Sequence, residues 1–133
     1  EPAMADRRTV TVGRHALVLI DSVTQIIPGD AGAIVVTGSH GGASAAGYAL
    51  SVDAALYVFN DAGIGRDEAG VAGLAMLEEA GIAACAVGHM TARIGEAADT
   101  LERGTISRAN GLAAAAGFLP GTALQQAIAG FAA

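Results

Sequence analysis

The segment Thr37-Gly38-Ser39-His40-Gly41-Gly42 puts two hydroxyls, an imidazole and three glycines into six consecutive residues. Glycines between a strand and a helix let backbone N–H groups converge on an anion, and the helix N-terminus adds partial positive charge. Gly38, Gly41 and Gly42 are therefore expected to bind a small anionic or amide group. His40 beside them would act as a general acid or base near neutral pH. Ser39 is a candidate nucleophile, although the nucleophile-elbow pattern G-x-S-x-G is absent around it. The competing reading of this segment is a tight turn in which Ser39 caps the following helix. Neither G-x-G-x-x-G nor G-x-x-x-x-G-K-[ST] occurs here, so the dinucleotide and P-loop fingerprints are both missing.

Other polar clusters follow other apolar runs. Asn60-Asp61 comes after Leu56–Phe59, and His89-Met90-Thr91-Ala92-Arg93 comes after the run that ends at Val87. Asp21-Ser22 comes after Leu17–Ile20, and Ser107-Arg108-Ala109-Asn110 follows a short segment near residue 106. His89 is a second acid/base candidate. Asp61 would orient a histidine or serve as base; an Asx turn accounts for Asn60-Asp61-Ala62-Gly63 equally well. Arg93 is the best carboxylate clamp, because its planar fork reaches both oxygens, unless it is spent on Asp61, Glu96 or Asp99. The catalytic set is thus His40, His89, Asp61 and Ser39. Gly38, Gly41, Gly42, Asn60, Arg93, Thr91, Asp21, Ser107 and Asn110 would line the substrate. His15 stands before the first apolar run and is read as structural.

No cofactor is expected. A divalent metal on His40, His89, Asp61 and Asp21 is the alternative, but no pair among them has a ligand-type spacing. The chain contains seven arginines and no lysine, which excludes Schiff-base chemistry from its own residues. Cys85 is the only cysteine, so no intrachain disulfide forms, and its apolar neighbours suggest a buried, inert thiol. A net charge of −6 without a basic run argues against nucleic acid as a partner. Residues 109–133 carry no charged side chain, yet Asn110, Pro120, Gln125 and Gln126 interrupt them, which argues against a membrane span. That uncharged stretch instead suggests a homo-oligomer, with aggregate mass in solution as the check. No signal peptide is seen, so a cytoplasmic location is expected. Residues 1–7 read as an N-terminal tail, with Met4 as the natural start and the three residues before it a cloning scar.

These clusters meet only if the apolar runs share one sheet. Strands are expected over residues 8–20, 33–36, 55–59 and 82–87, with a short fifth at 105–107. A turn is expected at Pro28-Gly29-Asp30, and helices over 41–50, 67–80 and 96–103. Asp67 would cap the second helix, Gly81 would end it and Gly104 would end the third. Two Ala-rich pieces split by Pro120-Gly121 close the chain. Strands alternating with helices imply a single α/β domain over residues 8–133. Its sheet would have four to five mostly parallel strands, doubly wound and Rossmann-like, with helices on both faces. The carboxyl edge of such a sheet is where ligands bind. The reading is a small enzyme acting on a small anionic or amide-containing metabolite by His/Asp acid-base chemistry, hydrolysis before lyase or isomerase. The alternative is a ligand-binding or regulatory module without chemistry, or the small subunit of a larger enzyme.

Overall fold

A computed structural model describes residues 7–133. The start assigned to Met4 and most of the expected tail lie outside the described residues. Arg7, the last of that tail, donates to the buried carboxylate of Asp30 at 2.8 and 3.1 Å.

The expected first strand is two. β1 (Arg8–Val12) and β2 (His15–Ile20) form an antiparallel hairpin across Gly13-Arg14. Gly13 at φ +60 suits the first central position of a two-residue turn. The sheet continues with β3 (Ile34–His40), β4 (Leu56–Asn60), β5 (Ala84–Val87) and β6 (Ile106–Ala109). The strands lie side by side in chain order. β2 to β5 are parallel, and β6 returns antiparallel to β5. The fold is a single α/β domain on a mixed six-stranded sheet with a parallel centre.

The reversal of strand order that marks a doubly wound sheet is absent from this order. Each step from β2 to β5 moves the same way, so right-handed crossovers fall on one face. That face carries α1 (Ala43–Ala49) and α2 (Ala72–Glu79), packed on Val18, Val35, Tyr57 and Phe59. The opposite face carries α3 (Ala97–Arg103), α4 (Gly111–Ala115) and α5 (Leu124–Ala132), packed on Leu19, Val36, Leu56 and Val58. Alternate strand residues thus feed two separate cores, which is why the central runs are apolar throughout. Cys85 is fully buried in the second core, and burial pushes its thiol pKa up to about 12. His15 stacks on Phe131 of α5 with ring centroids 5.0 Å apart. Among the described residues no helix is long and apolar enough to cross a membrane.

Two local expectations change. Residues 37–40 are strand rather than turn, with an irregularity in the β3–β4 register between Val36 and His40. Asp67 does not cap a helix: it and Glu68 are left-handed, at φ 55 and 58, inside a short 3-10 segment, and α2 begins at Ala72. Gly81, at φ +81, does close α2.

The glycines of the 38–42 segment allow close packing. A Cβ on Gly38 would stand 2.3 Å from the amide nitrogen of Glu96. Gly38→Ala should therefore destabilise the fold by about 1–3 kcal/mol, seen as a lower urea midpoint at unchanged slope. Gly47→Ala, in open space on α1, should instead raise the midpoint.

Candidate functional site

The carboxyl ends of β4 and β5 and the start of β6 meet at Asp61. Asp61 directly follows β4 and is 4% exposed. Its Oδ1 accepts the backbone N–H of Gly63 at 2.8 Å and that of His89 at 3.0 Å. Ser107 donates its hydroxyl to Oδ2 at 2.7 Å. The imidazole Nδ1 of His89 lies 3.3 Å from Oδ1. Burial by itself would raise the carboxyl pKa. The bonds from Ser107, Gly63 and His89 and the charge available on the His89 ring outweigh it, and the pKa lies below the ordinary value. Asp61 is therefore a fixed anion, with the His89 ring nitrogen Nδ1 at ion-pair distance from it. The imidazole side chain is half exposed.

Ser107 is bonded to the aspartate rather than to the histidine, so this is not a Ser–His–Asp relay; Asp61 stands in the middle. The ring of His89 rests near Gly63, whose φ is +77. The loop around Gly63 holds four non-glycine residues in the left-handed region: Ala62, Ile64, Asp67 and Glu68. Such backbone costs about 1–3 kcal/mol per residue and persists only where surroundings enforce it.

The other expected site residues are mostly occupied by the fold itself. Gly38 N–H donates to Asp21 O, Gly41 N–H to Asn60 O, and Gly42 N–H to the ring Nδ1 of His40. Ser39 N–H donates to the Thr37 hydroxyl. The expected anion cradle has therefore spent these four donors internally, and α1 follows it with only seven residues. Ser39 Oγ accepts the N–H of Val23 and so closes the 3-10 segment at Val23–Gln25. Asp21 Oδ1 accepts Ala97 N–H and caps α3. Asn60 is fully buried; its amide donates to Ala92 O and accepts Ala62 N–H. Thr91 Oγ1 donates to Gly88 O and accepts Thr105 N–H.

Asn110 is a correction of place. It ends antiparallel β6, at the edge of the sheet opposite Asp61, beside the first residue of β5. There its side chain bonds Ala84 N, Ala113 N, Leu74 O and Ile82 O, and caps α4.

The two histidines do not share a cleft. His40 lines a small depression of about 140 Å³ with Thr24, Ser39, Ser44 and Tyr48. His89 lines another of about 190 Å³ with Thr91, Arg93, Asp99 and Arg103. Sequence reasoning named Arg93 here but missed Arg103. The signal available was its spacing of four from Asp99 on one short helix. The Arg93 side chain is 80% exposed, and its nearest acidic contact is Glu96 at 3.9 Å. Among the described residues no group of three or more His, Cys, Asp and Glu side chains is gathered as a metal site.

No protein-family model matches the chain, and neither a curated protein nor a solved structure matches it.

The bond from Ser107 yields a pH-dependent expectation. A carboxylate whose folded pKa is depressed stabilises the fold above its unfolded value of about 3.9, and that stability is lost as pH falls through the folded value. Ser107→Ala should cost about 1–2 kcal/mol at pH 7, since the lost bond is to a charged group. The penalty should shrink in acid, once Asp61 is protonated. Urea unfolding of both proteins between neutral pH and about pH 3 measures it; a penalty independent of pH would remove Ser107 from the charge network.

Proposed function

We propose that this protein is a small enzyme whose working acid/base is His89, oriented by Asp61, and that its substrate is a small anionic or amide-containing metabolite. The observation that carries the reading is the buried, fixed Asp61 carboxylate 3.3 Å from His89 Nδ1, on an imidazole that is half exposed. An imidazole held in this way keeps Nε2 as the basic nitrogen at the mouth of a polar cleft. Arg93 on the same cleft supports an anionic substrate. In hydrolysis, the reaction we place first, Nε2 takes a proton from water as its oxygen attacks an acyl carbon. The proton then passes to the leaving group. In a lyase or isomerase the same nitrogen would take a C–H proton instead. The reading narrows the catalytic role to His89 and Asp61. It leaves out Ser39, whose hydroxyl accepts a backbone N–H, and His40, which lines a different cleft. A homo-oligomer belongs to the same proposal: Leu112 and Leu119 are 41% and 50% exposed in the uncharged C-terminal stretch, and a partner copy would cover them.

Screening small carboxylates, amides and esters for turnover, then comparing wild type with His89→Gln, tests the enzyme reading. His89→Gln should reduce kcat/KM by about 10²–10⁴-fold, the usual contribution of general acid–base catalysis. Its urea midpoint should stay close to wild type, because the ring is half exposed. Unchanged kcat with altered affinity alone would point to a binding module.

A further inference from the structure

Arg93 and Arg103, two of the seven arginines of a chain with net charge −6, line the cleft that also holds His89. Asp99 connects them. Its Oδ2 accepts the backbone N–H of Arg93 at 2.8 Å, and its Oδ1 lies 3.4 Å from Nε of Arg103. The Asp99 side chain is 18% exposed and that of Arg103 is 75% exposed, so a sheltered carboxylate holds the inner edge of an otherwise open guanidinium. The ion pair engages Nε, and among the described residues the two terminal nitrogens have no partner, which leaves a planar fork. Such a fork matches the two oxygens of a carboxylate. The cleft lining carries two guanidinium groups and one carboxylate, with Glu96 beside Arg93 just outside the lining, so Arg103 is the group whose terminal nitrogens can receive an anion.

We propose that Arg103 is the specificity-determining residue of the His89 cleft: it receives the carboxylate group of a small substrate, and Asp99 is the positioning residue that aims its fork. This rests on the reading of His89 as the working base, and it adds the chemical class of the anion and the residue that selects it. Arg93 supplies charge from the facing loop, while Glu96 lies 3.9 Å from its guanidinium.

Acetate, the smallest carboxylate, is the probe, with inorganic phosphate as the comparator. Each is titrated at fixed pH and ionic strength into isotope-labelled full-length protein while the amide signals of residues 89–93, 99 and 103 and the Arg103 Nε–H signal are followed. Acetate should move these signals with a millimolar dissociation constant. Arg103→Ala and Arg103→Lys should each weaken binding by about tenfold, the second because lysine keeps the charge but lacks the fork. Asp99→Asn should weaken acetate binding less and should shift and broaden the Arg103 Nε–H signal, which a change in mere helix stability would not do selectively. Acetate binding unaffected by Arg103→Ala, signals that acetate leaves unmoved at about 100 mM, or a response to phosphate alone would each overturn the assignment. If acetate binds through Arg103 but His89→Gln retains full turnover, the acid/base reading falls and the anion site stands. If Arg103 proves indifferent while His89→Gln is inactive, the reverse holds.

Discussion

Asp61 sits 4% exposed at the end of β4, where an ionised carboxylate without partners would cost several kcal/mol. Its partners come from three places in the chain: the loop directly after it, the turn after β5 and the start of β6. Gly63 folds back so that its N–H reaches Oδ1, Gly88 leads His89 in, and Ser107 turns its hydroxyl toward the sheet edge. Ala62 and Ile64, both left-handed, flank Gly63 in the turn whose N–H reaches that side chain. The result is a charge fixed in position with an imidazole nitrogen 3.3 Å from it.

The sheet makes that convergence possible by changing direction once on this side. Parallel β2 to β5 bring their carboxyl ends to one edge, and antiparallel β6 brings its start to the same edge. Ser107 therefore arrives beside Asp61, while Asn110 is carried three residues along to the opposite edge and ties β5 to α4 and α2. In doubly wound sheets the crevice lies where strand order reverses. Here the order never reverses, and the candidate site lies where the last parallel strand meets an antiparallel one.

Much of this was legible in the residues. The apolar runs at 17–20 and 56–59, and 84–87 within the run at 82–87, are strands buried on both faces, and the polar residues after the last two, Asp61 and His89, fall at the carboxyl edge; Ser107, expected after a fifth strand, reaches that edge because it stands near the start of antiparallel β6. What stayed hidden has physical causes. The direction of a strand as short as Ile106–Ala109 leaves no trace in its composition, and Asn110 was misplaced for that reason. Gly38, Gly41 and Gly42 look the same whether a ligand or backbone fills the room left by their missing side chains. In the fold the protein itself fills it: the Gly95–Glu96 backbone at Gly38, Gly70 O and the Phe59 side chain at Gly41, and the His40 ring and Ala69 O at Gly42. The hairpin at Gly13-Arg14 was hidden because both its arms are β-prone and only two residues part them. The place of Arg103 was not legible because it depends on Asp99 and on the turn holding His89, which only the folded chain brings to one cleft.

The central claim is that Asp61 fixes His89 with its proton on Nδ1 and Nε2 as the free base. Nitrogen-15 spectroscopy of the His89 ring in alkaline solution, where the imidazole is neutral, tests it directly. The account predicts the Nδ1–H tautomer in the wild-type protein and its loss in Asp61→Ala. A neutral ring protonated on Nε2 in the wild type, or a tautomer indifferent to Asp61→Ala, would contradict it.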